Sequence, residues 1–147
     1  MDEPQLVKLF RTLAVISAIS YLLFVFSPWL VGAQLTPETE DILSWSGYGA
    51  ILPLTDKVFW LLVLIWTMTT IGLCQFQPHA RWLFAALTGF SLVLTLLSGM
   101  STLTAWQNFL GSITTLLDGA VLALAYFSPL KERFHARANL PTPNVKQ

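Results

Sequence analysis

One carboxyl group gives this chain its opening for chemistry in an apolar setting. Asp118 is the only charged residue between Arg81 and Lys131. At helical spacing it shares a face with Gly111, Thr114, Thr115, Val121, Leu122 and Ala125. A stripe of Thr88, Ser91, Thr95 and Ser98 lies earlier in the same charge-free stretch. Two further segments bring Thr67, Thr70 and Cys74, and Ser17, Ser20 and Tyr21. An acid among hydroxyls can relay a proton, hold a cation, or pin helices together by a hydrogen bond. The residues that carry either reading are Asp118, Thr114, Thr115, Ser91 and Thr95.

The pattern supplies no Lys, Arg or His at matching depth. An aspartate at the centre of a bilayer costs about 2.5–3.5 kcal/mol on insertion scales. The acid is therefore expected to carry its proton unless water reaches it. A neutral carboxyl can donate to a hydroxyl or a carbonyl. The packing role is favoured over a proton or cation site, because no second titratable group accompanies the acid.

Other reactive residues are sparse. His79 and His135 both fall outside the expected spans, as solvent-exposed loop histidines, and two isolated histidines make no metal site. Cys74 is the only cysteine, which rules out an internal disulfide, a paired redox motif and a thiolate zinc cage; it reads as a small packing residue. Trp66 could line a lipophilic pocket, but the reading as a lipid-facing or core side chain is favoured. No glycine-rich phosphate loop and no zinc-protease motif is present. The sequence thus implies no catalytic residues, no cofactor and no metal. Net charge is zero, so no basic face points to nucleic acid.

The elements that hold these residues follow from charge. Charged residues make up 11% of the 147 and hydrophobic ones 54%, against roughly 25% charged in a soluble domain. Residues 12–37, 58–80 and 82–117 lack Asp, Glu, Lys and Arg, and 119–130 extends the last run. A bilayer-spanning helix needs about 20 apolar residues, and backbone in lipid must satisfy its own hydrogen bonds. The pattern predicts an all-α membrane protein, a bundle of four transmembrane helices near residues 9–30, 58–76, 82–100 and 106–127. The long third run breaks at Ser98-Gly99-Met100-Ser101-Thr102. Residues 1–134 form one domain and 135–147 a mobile tail.

Lysine and arginine collect on the cytoplasmic side of membrane helices. Lys8 and Arg11, then Arg81, then Lys131, Arg133, Arg137 and Lys146 all fall on one side of a four-helix topology, and only Lys57 on the other. Both termini are expected in the cytoplasm. Trp29, Trp45, Trp60 and Trp106 mark the outer interface, and Trp82, Tyr126 and Phe127 the inner one. In the outer loop at 31–57, Thr36-Pro37-Glu38 signals a helix start, which predicts a short helix lying on the membrane surface before Gly47, Gly49 and Pro53 break it. Asp56 or Thr55 can cap the next helix. Phe26-Ser27-Pro28 and Phe127-Ser128-Pro129 read as helix stops. Val31-Gly32-Ala33 also allows a cleaved signal segment, but the long apolar run and the acids Asp2 and Glu3 favour a retained helix.

The functional expectation is a non-enzymatic protein of the bacterial inner membrane. Its partners are the lipid bilayer and either a membrane-protein companion or further copies of itself. The leading role is an accessory or assembly subunit, or a small homo-oligomer packed through the third and fourth spanning helices. The alternative is a proton-linked small transporter or channel subunit that uses Asp118, and the third is an immunity or defence protein recognising its partner through the outer loop.

Overall fold

The computed structural model describes residues 2–31, 36–44, 48–51 and 56–138. It is all-helical: α1 Glu3–Val31, α2 Pro37–Ser44, α3 Asp56–Cys74, α4 Pro78–Leu97, α5 Ala105–Phe127 and α6 Lys131–Ala138. No strand occurs among the described residues. Helices α1, α3, α4 and α5 are long and apolar enough to cross a membrane. Around the bundle the order is α5, α1, α3, α4. The α1–α5 contact is the most extensive, and α4 meets α5 only sparingly.

Several boundaries differ from the sequence expectation. The first helix starts at Glu3, so Lys8 and Arg11 lie within it. It also runs through Pro28 to Val31, so Phe26-Ser27-Pro28 does not end it. Proline has no N–H for the carbonyl four residues back, and the Ser27 hydroxyl donates to that group, Phe24 O, at 2.7 Å. The other triplet does stop its helix, because α5 ends at Phe127 and Ser128 is extended at φ −96, ψ 168.

Helix α3 ends at Cys74, two residues early, in a Schellman motif. Gln77 N–H donates to Gly72 O at 3.0 Å and Phe76 N–H to Leu73 O at 2.9 Å. Phe76 holds the left-handed position at φ 57, which glycine usually fills. Its ring accounts for this: it is buried and lies 5.4 Å from Phe10 and 5.1 Å from Phe134. Helix α4 then begins at Pro78, directly after the extended Gln77. That places Arg81 and His79 in its first turn rather than in a loop; His79 is exposed and Arg81 is buried.

The other end is held by backbone. Helix α4 ends at Leu97, and Gly99 follows at φ +76. Met100 N–H donates to Tyr48 O and Ile51 N–H to Leu97 O, both at 2.9 Å. A side chain on Gly99 would put its Cβ 2.5 Å from Tyr48 O, so only glycine fits there. Helix α5 starts with a capping box: Gln107 N–H donates to Thr104 Oγ1 at 3.2 Å, and Thr104 N–H to Gln107 Oε1 at 2.8 Å. The short helix α2 begins at Pro37, as Thr36-Pro37-Glu38 predicts.

Helix α6 was not expected, since the mobile tail was placed from residue 135. Residues 135–138 are helical, because Ser128 Oγ receives Leu130 N–H at 3.2 Å and Phe134 inserts fully buried beside Phe10 and Phe76. The rest of that tail, and Gly32, Ala33, Trp45, Gly47, Pro53 and Thr55, fall outside the described residues.

Candidate functional site

Asp118 sits on the buried face of α5 with Leu110, Thr114, Val121 and Ala125. It is 5% exposed. Its Oδ1 accepts a hydrogen bond from the hydroxyl of Ser17 on α1, which is itself 2% exposed. One turn away Thr114 Oγ1 lies 2.9 Å from both Ser20 Oγ and Leu110 O, and Ser20 Oγ reaches Leu110 O at 3.4 Å. Ser17, Ser20, Thr114 and Asp118 thus form a polar seam between α1 and α5. Small side chains at three-residue spacing on α1 let the two backbones approach.

A cavity of about 310 Å³ opens beside this seam. Helix α1 contributes Tyr21 and Phe24; α3 contributes Phe59, Leu62 and Trp66. Helix α4 brings Phe90, Ser91 and Thr95 among others, and α5 brings Gly111, Thr114, Thr115 and Asp118. Trp66 is buried, with its ring 5.1 Å from Tyr21 and 5.0 Å from Phe84. Its Nε1–H has no partner among the described residues.

All five residues singled out from the sequence therefore line one cavity, but in unequal roles. Thr114 and Asp118 are buried at its floor. Ser91, Thr95 and Thr115 are exposed at its rim and donate to carbonyls of their own helices: Thr88 O at 2.8 Å, Ser91 O at 2.9 Å and Gly111 O at 2.9 Å. None of the three bonds to Asp118. The partner that does, Ser17, stood among the α1 hydroxyls, but spacing along one helix carries no information on which neighbour it faces. Thr67, Thr69 and Thr70 of α3 likewise bond carbonyls of their own helix.

Sequence reasoning also missed a second buried cation-bearing cluster at the end shared by α1, α4, α5 and α6. Arg81 is 7% exposed, and its guanidinium stands 4.8 Å from the Tyr126 ring centroid and 5.5 Å from that of Phe134. Such cation–π contacts strengthen when desolvated. Arg11 Nε–H donates to Cys74 O at 3.1 Å, where a helix C-terminus favours positive charge. Arg133 and Glu3 pair at 2.7 Å on the surface. Among the described residues no group of three or more His, Cys, Asp or Glu side chains could hold a metal ion.

Comparison with protein-family models, with curated proteins and with solved structures gives no match.

Proposed function

We propose that this chain is a non-catalytic, multi-pass protein of a bacterial inner membrane, with both ends of its bundle sequence on the cytoplasmic side, serving as an accessory or assembly subunit or as a small homo-oligomer. The observation that carries this reading is the Asp118–Ser17 hydrogen bond, buried on both sides between α1 and α5. A carboxyl held by a hydroxyl acts as a link between helices, and intramembrane polar groups commonly serve as such links. The gathering of Arg11, Arg81 and Arg133 at one end of the bundle supports the orientation.

The test is purification in mild detergent followed by mass spectrometry of the intact complex. A stable companion or a defined oligomer is expected. Repeated recovery of bare monomer would remove the accessory role. Reporter fusions after residue 138 and within the α2 segment should report opposite sides of the membrane; the same side for both would overturn the orientation.

One observation favours a second reading, a proton-linked small transporter or channel subunit. The cavity reaches Asp118, as a translocated species would require. Flux in liposomes that Asp118→Asn abolishes would decide for it; no flux from the wild-type protein would decide against it.

A further inference from the structure

The cavity beside Asp118 has a chemical bias that its residue types alone do not reveal. Each hydroxyl carries one hydrogen. On Ser91, Thr95 and Thr115 that hydrogen is directed to a backbone carbonyl of the same helix. On Thr114 it goes to Ser20 Oγ or Leu110 O. What these four groups can still offer is lone pairs. Asp118 Oδ1 receives the Ser17 hydrogen, while Oδ2 takes no hydrogen bond from any described residue. Tyr21 alone brings an uncommitted hydroxyl to the wall.

The aromatic residues push the same way. Tyr21, Phe24, Phe59, Trp66 and Phe90 form much of the remaining lining, and aromatic faces are electron-rich and attract cations. No Lys, Arg or His is among the lining residues. With the Tyr21 hydroxyl and the unpartnered Nε1–H of Trp66 as its free donors among the described residues, the chain therefore builds an acceptor-rich, aromatic chamber around a carboxyl and supplies no cation of its own.

The mouth sets the second property of the guest. Trp66, Thr114 and Asp118 are buried, whereas Phe90, Ser91, Thr95 and Thr115 are exposed. The exposed four run from the middle of α5 to the last turn of α4, and these two helices meet only sparingly. The chamber thus opens through the gap between α4 and α5. Leu62, Leu87 and Leu94 join the aromatic residues in the lining, so the walls suit a guest with an apolar body. At about 310 Å³ the space lies at the small end of ligand pockets, roughly 300–1,000 Å³.

We propose that this chamber is a binding site for lipophilic ammonium ions, protonated amines with an apolar chain or ring, with Asp118 as counter-ion and the aromatic residues enclosing the apolar body. The site goes beyond the accessory role and does not depend on it.

The test uses the full chain in nanodiscs of zwitterionic lipid, with protein-free nanodiscs as the partition background. Saturable binding of labelled n-octylammonium is measured, then repeated in competition with n-octanol and with sodium. One saturable site per chain is expected. n-Octanol, equal in length but uncharged, should compete at least tenfold less well, and Asp118→Asn should weaken binding at least tenfold. Equal competition by n-octanol in the wild-type protein would overturn the proposal without recourse to any variant. So would unchanged affinity in a folded Asp118→Asn protein, or displacement by sodium at matching concentration, which would mark an inorganic cation site instead. Binding no greater than the protein-free background would also overturn it.

Discussion

Replacing Ser17 by alanine removes the only side-chain donor among the described residues that reaches Asp118 Oδ1. Both residues are at most 5% exposed, so water does not restore the bond. Hydrogen bonds between membrane helices average about 0.6 kcal/mol and reach about 1.7, while a buried polar atom left without a partner costs about 1–3 kcal/mol. Ser17→Ala is thus expected to destabilise the bundle by about 1–2 kcal/mol. Asp118→Asn keeps an oxygen where Oδ1 stands, and if the acid is neutral the loss stays under about 0.5 kcal/mol, because the Ser17 bond survives. Were the acid charged, the bond would be worth about 1.5–3 kcal/mol and much of that would vanish in Asn. Ser17→Ala combined with Asp118→Leu leaves no unpaired polar group, so the pair should be less destabilised than the sum of the single changes. Reversible unfolding in mixed micelles, followed by circular dichroism as the denaturing detergent fraction rises, gives these differences. A neutral Ser17→Ala, or an Asp118→Asn loss as large as that of Ser17→Ala, would refute the reasoning.

Three further outcomes are open to the same assay. Thr104→Ala removes the α5 capping box and should cost about 1 kcal/mol. Gly99→Ala meets both a positive φ and a Cβ 2.5 Å from Tyr48 O. It should destabilise by more than about 1 kcal/mol and raise protease sensitivity near residues 48–51. Phe134→Ala empties a fully buried ring position between Phe10 and Phe76. A loss of about 3–5 kcal/mol is expected, with amide exchange in α6 rising before that of α5.

The four spans were legible because charge is excluded from them, and exclusion is a property of composition alone. Their partners were not. In lipid the outward and inward faces of a helix are both apolar, so hydropathy does not tell Leu110, which is buried, from Leu116, which is exposed. Only polar residues mark the interior, and these mislead in part: Ser91, Thr95 and Thr115 satisfy themselves on their own helices and sit outside, while Ser17, no more conspicuous, holds the acid. Pro28 was misread because a helix continues through proline when a neighbouring hydroxyl takes over the freed carbonyl. Helix α6 escaped notice because one buried ring, Phe134, fixes a segment that otherwise reads as polar. The cavity is a property of how α4 stands away from α5, which no local pattern encodes.

Helix α1 is longer than its neighbours, and the surplus has a consequence. Its 29 residues span about 44 Å at 1.5 Å per residue, against about 30 Å for the 20 residues of α4, which matches the thickness of a bilayer core. The excess lies before Arg11, which is fastened to the end of α3. That overhang is joined to α6, eight residues and about 12 Å long, by the Glu3–Arg133 pair and by Phe10 against Phe134. Helix α6 also packs against α4 and α5, so the start of α1 is tied to the opposite side of the bundle. Ser17 is on the same helix, about 9 Å beyond Arg11. The start of α1 is thus clamped by α3 and α6 at once, and the helix that carries the partner of the acid is anchored at that end.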